Sequence, residues 1–171
     1  MNKRTGEITF HGNPLTLLGD ELKIGEKVPD FSLADNDLSP KNLADYAGKV
    51  LIISAVPSLD TPVCDMETRR FNTEAGNLSD EITILTVSMD LPFAQKRWCG
   101  AAGVESVTTL SDYRGAEFGK NWGVLIEELH LLSRTIFVVA KDGTLAYQQT
   151  VAEVTDEPDY DAVIAAAKKS L

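Results

Sequence analysis

At 171 residues the chain is long enough for one domain, residues 1–171, with a core that needs neither disulfide nor metal staples. A hydrophobic fraction of 43% beside 25% charged residues is that of a soluble globular protein, no stretch reaches the length of a membrane span, and no apolar signal core follows Met1 to Glu7. With neither a span nor a signal core, a cytoplasmic location is expected, and a formal charge of −10 with a pI of about 4.6 sets the average field against nucleic acid and anionic membrane, so neither is expected as a partner.

Residues Glu7 to Leu18 make two short alternating runs about His11-Gly12-Asn13-Pro14, the signature of a β-hairpin. Gly25 to Leu33 is expected to be extended, with Pro29 confining it to an edge or loop. From Val50 to Val56 a continuous apolar run predicts a strand buried on both faces, the habit of a parallel sheet, and Pro57 ends it. Pro57-Ser58-Leu59-Asp60-Thr61-Pro62 is turn chemistry, and Pro62 stands where a proline is tolerated, in the opening turn of a helix. A helix from about Pro62 puts Cys64, Thr68, Phe71, Ala75 and Leu78 on one face, with the Cys64 thiol in its first turn and directed at the sheet.

Ile82 to Ser88 predicts a second buried strand, after which Asp90 and Pro92 open a helix holding Phe93 to about Ala102. Gly100 and Gly103 are expected to weaken that helix by about 1 kcal/mol each relative to alanine. Val107 to Ser111 reads as a short strand, and Ala116 to Trp122 as a short helix stopped at Gly123. Thr135 to Ala140, the turn Lys141-Asp142-Gly143-Thr144 and the alternating run Leu145 to Val151 make a second hairpin. Thr155 to Pro158 is expected to open the last helix, with Tyr160, Val163, Ile164, Ala167 and Leu171 as its apolar stripe. This order predicts an α/β protein with a mixed sheet between helices and an N-terminal β-hairpin.

Free N–H groups and partial positive charge at a helix N-terminus favour a thiolate, the reactive form of cysteine. Cys64 is therefore a candidate nucleophile, against the plainer reading of a small buried hydrophobe. Thr61 can bring its hydroxyl to that sulfur from the turn, or serve only as a cap or turn residue. Arg134, just ahead of a buried strand, demands a partner, either a carboxylate or a thiolate. Cys99 lies mid-helix and is open between a packed core cysteine and a second reacting thiol. Two cysteines too distant for a Cys-x-x-Cys pair, and two separated histidines, His11 and His130, show no metal-ligand spacing, and no metal is expected. Phe93, Trp98, Tyr113 and Trp122 are expected in the core rather than as a substrate platform, with an apolar collar around the pocket left open for some of them, and the basic pairs Arg69-Arg70 and Lys168-Lys169 on solvated helix faces.

The pattern Pro57-x-x-x-Thr61-x-x-Cys64 after a buried strand resembles the peroxidatic-cysteine motif of the peroxiredoxins. The full string Pro57-Ser58-Leu59-Asp60-Thr61-Pro62-Val63-Cys64 is similar to that of their thiol peroxidase branch, and the likeness runs from about Ile8 to Lys168 with mild departures at His130 and Ser133. The resemblance implies a thioredoxin-like fold and a peroxidase that reduces hydrogen peroxide and organic hydroperoxides without a cofactor. It implies Cys64 as the attacking thiolate that becomes a sulfenic acid, with Pro57, Thr61 and Arg134 against the substrate. It further implies Cys99 as the thiol that closes an intramolecular Cys64–Cys99 disulfide, thioredoxin as the reductant, and a homodimer. Two other classes stay open: a cysteine hydrolase or transferase with His130 as base, and a redox sensor whose disulfide switches a partner.

Overall fold

The computed structural model describes residues 1–171. A hairpin of β1 (Lys3–Phe10) and β2 (Asn13–Leu18) opens the chain, followed by β3 (Leu33–Ala34), β4 (Pro40–Lys41) and a 3-10 turn at Leu43–Tyr46. Then come β5 (Val50–Ala55), α1 (Pro62–Ala75), β6 (Ile82–Ser88), α2 (Pro92–Ala102), β7 (Thr108–Ser111) and α3 (Glu117–Asn121). The chain ends with β8 (Leu125–Ile126), β9 (Leu131–Leu132), the hairpin β10 (Thr135–Val139) and β11 (Leu145–Thr150), and α4 (Tyr160–Lys169).

Seven strands form the main sheet in the order β11-β10-β5-β6-β7-β3-β4. β5, β6 and β7 run parallel, while β10 and β3 join them antiparallel, so the sheet is mixed as the sequence predicts. Alternation sorts its apolar residues onto two faces. Leu51, Ile53, Leu85, Val87, Phe137 and Val139 enter a core with Phe31, Phe118 and Trp122. Val50, Ile52, Ile84, Ile136 and Val138 enter a second core with Phe71 of α1, Val163 and Ala167 of α4, and Trp98 and Ala102 of α2. Helices α1, α2 and α4 therefore cover one face, and α3 with the 3-10 turn covers the other. No helix is long and apolar enough to cross a membrane.

A smaller sheet, β1-β2-β8-β9, extends the N-terminal hairpin beyond what the sequence reveals, because two-residue strands such as β8 and β9 carry no readable period. It meets α3 where the backbones of Gly19 and Gly123 touch, both at positive φ. A Cβ on Gly19 would fall 2.1 Å from the Lys120 carbonyl oxygen, and one on Gly123 2.2 Å from that of Asp20. Only glycine fits either position.

Several expectations are corrected. Thr155 to Pro158 is loop rather than helix: Pro158 biases the residue before it away from helical angles, and α4 starts at Tyr160 with the Asp159 carboxylate accepting from Ala162 N at 3.0 Å. Leu171 lies past the end of α4 and is 47% exposed, so it leaves the apolar stripe. Leu78 lies beyond α1 yet packs on the same core. Gly103 does not weaken the interior of α2 but terminates it in the left-handed conformation. Phe93 is not core; it stands 66% exposed on the outer side of α2, whereas Trp122 is fully buried.

Candidate active site

The site begins where β5 stops. Val56 still donates to Val87 O at 2.9 Å, and the buried Pro57, with no N–H to offer, ends the ladder. The elbow that follows is held by Asp90, whose carboxylate accepts from Ser58 Oγ at 2.7 Å and Leu59 N at 2.8 Å. Thr61 folds back so that both its N–H and its hydroxyl donate to Ser58 O, at 3.1 and 2.8 Å. Its side chain thus makes a turn bond rather than a helix cap, and no hydrogen bond joins it to the Cys64 sulfur. Pro62 occupies the first turn of α1, as expected.

Cys64 is fully buried in that first turn, packed with Val56 and Leu59, with Trp98 alongside. Its sulfur accepts a hydrogen bond from Arg134 Nη2 at 3.4 Å. Arg134, 1% exposed, also donates through Nε and Nη2 to Val154 O at 3.1 and 3.0 Å, and through Nη1 to the Glu67 carboxylate. Both partners that the sequence leaves open for this arginine, a carboxylate and a thiol, are present together. Glu67 lies one turn after Cys64 on the same helix face, is fully buried, and accepts a second bond from Ser54 Oγ at 2.6 Å. Burial pushes the Glu67 carboxyl above its usual range, and Arg134 and Ser54 oppose that push. Burial also works against the Arg134 cation, but Glu67 and Cys64 outweigh it and hold the guanidinium charged.

Above this cluster opens a cavity of about 460 Å³, lined by Pro57, Thr61, Pro62, Val63 and Arg134 on one side and by Phe10, His11, Leu129, Leu131, Val154 and Thr155 on the other. Pro57, Thr61 and Arg134 therefore line one cavity; the Cys64 sulfur lies beneath its lining, fully buried, and is reached from it through Arg134. No local pattern in the sequence signals the second wall, since it is assembled from the hairpin turn, the β8–β9 turn and the loop before α4. Glu67 is absent from the candidates that the sequence offers, although a glutamate on the face shared by Cys64, Thr68 and Phe71 is a readable anomaly.

Cys99, half-buried on α2, does not share the cluster; its sulfur lies 3.5 Å from Thr109 Oγ1, and both cysteines are free thiols. The two helices are nonetheless tied together. Trp98 Nε1 donates to Asp65 Oδ1 at 2.9 Å, and Arg69 bridges Asp65 to Ala102 O at 2.9 and 3.2 Å. His130 is exposed in the β8–β9 turn at φ 53°, and the one side-chain hydrogen bond to Cys64 Sγ comes from Arg134, not from an imidazole. The nucleophile–base contact that a cysteine hydrolase needs is not made.

A buried cysteine at a helix N-terminus beneath a paired arginine, on a mixed sheet with helices on both faces, defines a thiol-dependent redox protein of thioredoxin-like fold. The Redoxin family model matches residues 23–164, and the chain belongs to that family, in its thiol peroxidase branch. It is 57% identical to the thiol peroxidase of Halalkalibacterium halodurans over 96% of this chain and 98% of the relative. It is 53% identical to that of Bacillus subtilis, over 95% and 96%. Among solved structures, the peroxiredoxin-like protein from Aquifex aeolicus superposes with a TM-score of 0.91 at 40% identity, covering 100% of both chains. A thiol peroxidase from Chromobacterium violaceum shares the fold, with a TM-score of 0.85 at 21% identity over 95% of each chain. The chain is accordingly a peroxidase, an oxidoreductase of the peroxiredoxin kind.

Proposed function

We propose that the Cys64 thiolate attacks the nearer oxygen of a hydroperoxide, forming an S–O bond as the O–O bond breaks, and leaves a Cys64 sulfenic acid with an alcohol or water. The observation that carries this is Arg134 Nη2 at 3.4 Å from the buried Cys64 sulfur, at a cavity mouth it shares with Thr61 and Pro57. Arg134 favours charge on the sulfur and then on the departing oxygen. Thr61, with its proton directed at Ser58 O, offers lone pairs to the O–H of the peroxide, and Pro57 excludes water. The apolar walls of the cavity suit organic hydroperoxides beside hydrogen peroxide.

Cys99 then condenses with the sulfenic acid, and a thioredoxin-like dithiol reduces the Cys64–Cys99 disulfide. A disulfide needs Cα atoms within about 7 Å, so part of α1 or α2 unwinds first. Both helices begin without a side-chain cap, which lowers the cost of that unwinding. The proposal includes one domain acting in the cytoplasm as a homodimer, with the exposed Leu91 and Phe93 as apolar surface available for pairing. Peroxide consumption with a thioredoxin system tests it. Cys64→Ser should abolish turnover, and Arg134→Lys should slow oxidation of Cys64 at least tenfold, since a compact ammonium lacks the planar fork that aims separate N–H groups at the sulfur, Glu67 and Val154 O. Turnover surviving in Cys64→Ser, or an unaltered rate in Arg134→Lys, contradicts the assignment.

A further inference from the structure

The sulfur of Cys99 has a polar partner on the sheet. Along β7, Leu110 enters the core on the α3 side, so Thr109 faces the opposite side, under α2. There its Oγ1 lies 3.5 Å from Cys99 Sγ. Thr109 is 2% exposed, and its hydroxyl donates to Asn36 Oδ1 at 3.0 Å. A hydroxyl carries one proton. With that proton on Asn36, Thr109 has only lone pairs for the sulfur, so the contact is S–H···O with Cys99 as donor.

We propose that Thr109, oriented by Asn36, is a positioning residue for the resolving step: it keeps Cys99 docked on β7 as a thiol and so sets how long the Cys64 sulfenic acid lasts. The proposal rests on Cys99 being the resolving thiol. In that step the Cys99 sulfur attacks the sulfenic sulfur, the S–S bond forms as the S–O bond breaks, and the oxygen leaves as water with the proton that Cys99 gives up, peroxide having been the oxidant. Cys99 must leave Thr109 before this can happen, and the proton it must shed is the one engaged by the Thr109 lone pair. The neighbouring tie from Trp98 to Asp65, at 2.9 Å, fastens the same turn of α2 to α1. Removing the Thr109 hydroxyl loosens one of these two restraints and leaves the Cys64 cluster intact.

The test follows two rates after rapid mixing with hydrogen peroxide: oxidation of Cys64, and formation of the Cys64–Cys99 disulfide, trapped by acid quench and read by mass. Thr109→Val keeps the β-branched shape without the hydroxyl. It should leave Cys64 oxidation unchanged, speed disulfide formation about two- to fivefold, the scale of one weak neutral hydrogen bond, and yield less sulfinic product at excess peroxide. Thr109→Ser should restore the wild-type rate, and Thr109→Ala should repeat the direction of the valine variant even if valine crowds α2. Resolution unchanged or slowed in the valine and alanine variants, or serine behaving as they do, overturns the proposal. Cys99→Ser separates it from the reading beneath: if that variant cycles with thioredoxin, Cys99 is not the resolving thiol. If it stalls at the sulfenic acid while Thr109→Val resolves at the wild-type rate, only the role of Thr109 falls.

Discussion

Arg134 donates in three directions at once, to Val154 O, to Glu67 and to the Cys64 sulfur, and that division explains why a cation can sit in the interior. The carbonyl and the carboxylate fix its plane, and Nη2 is thereby aimed at the sulfur as well. A buried ion pair adds little net stability when intact, but deleting one partner strands a charge. Glu67→Gln should therefore lower unfolding stability by about 3–5 kcal/mol, measured by denaturant titration; a loss below about 1 kcal/mol would mean that Glu67 is not the counter-charge of Arg134. At this scale the sequence is legible where chemistry is local. Pro57, Thr61 and Cys64 lie close along one elbow, and the need of Arg134 for a partner follows from the apolar run after it. Glu67 and Val154 escape because their importance comes from an arginine brought in from a distant strand.

Among the elements, the N-terminal hairpin is the one whose place most affects the cavity. Its turn carries Phe10 and His11 into the second wall, and Glu153 fastens it there by accepting from Thr9 Oγ1 at 2.7 Å, His11 N at 3.0 Å and Gly12 N at 3.2 Å. The next residue, Val154, supplies the carbonyl that holds Arg134, so one loop positions both the wall and the guanidinium. The bond from Thr9, aided by the two backbone N–H groups, holds the Glu153 carboxyl down at about 2. A depressed carboxyl stabilises the folded state above its unfolded value near 4.5 and loses that contribution as pH falls toward 2. Glu153→Gln should thus lower the Tm at pH 7, with the gap to wild type narrowing as pH drops from 5 to 3; a gap that is constant or widens in acid would count against this anchoring role. The hairpin itself is readable from alternation about Gly12, as are β5, β6, α1, α2 and the β10–β11 hairpin. What the sequence does not disclose is docking, since neither the turn nor Glu153 carries a local sign of the other. The start of α4 is misread for a different reason: Thr155 to Pro158 has cap-like chemistry, but Asp159 makes the actual capping bond.

For the molecule as a whole, topology explains why the two cysteines are candidates for one chemistry. β5, β6 and β7 are neighbours in that order and all parallel, and right-handed crossovers through α1 and α2 place both helices on the same face of the sheet. Trp98, the residue before Cys99, then packs on the Cys64 cluster and bonds Asp65, the residue after Cys64. The mixed sheet and its helices follow from the order of apolar runs, whereas the pairing of β10 with β5, which delivers Arg134 to Cys64, is a long-range choice that no local pattern encodes. Whether peroxide oxidises Cys64 and Cys99 of the same chain completes the cycle is decided by adding one equivalent of hydrogen peroxide to the reduced protein, then measuring intact mass and mapping disulfides under non-reducing conditions. The expected product is a single chain lighter by two hydrogens, bridged between Cys64 and Cys99 with no free thiol, and no bridge should form in Cys64→Ser. A disulfide joining two chains, or free Cys64 after the peroxide has been consumed, would contradict this cycle.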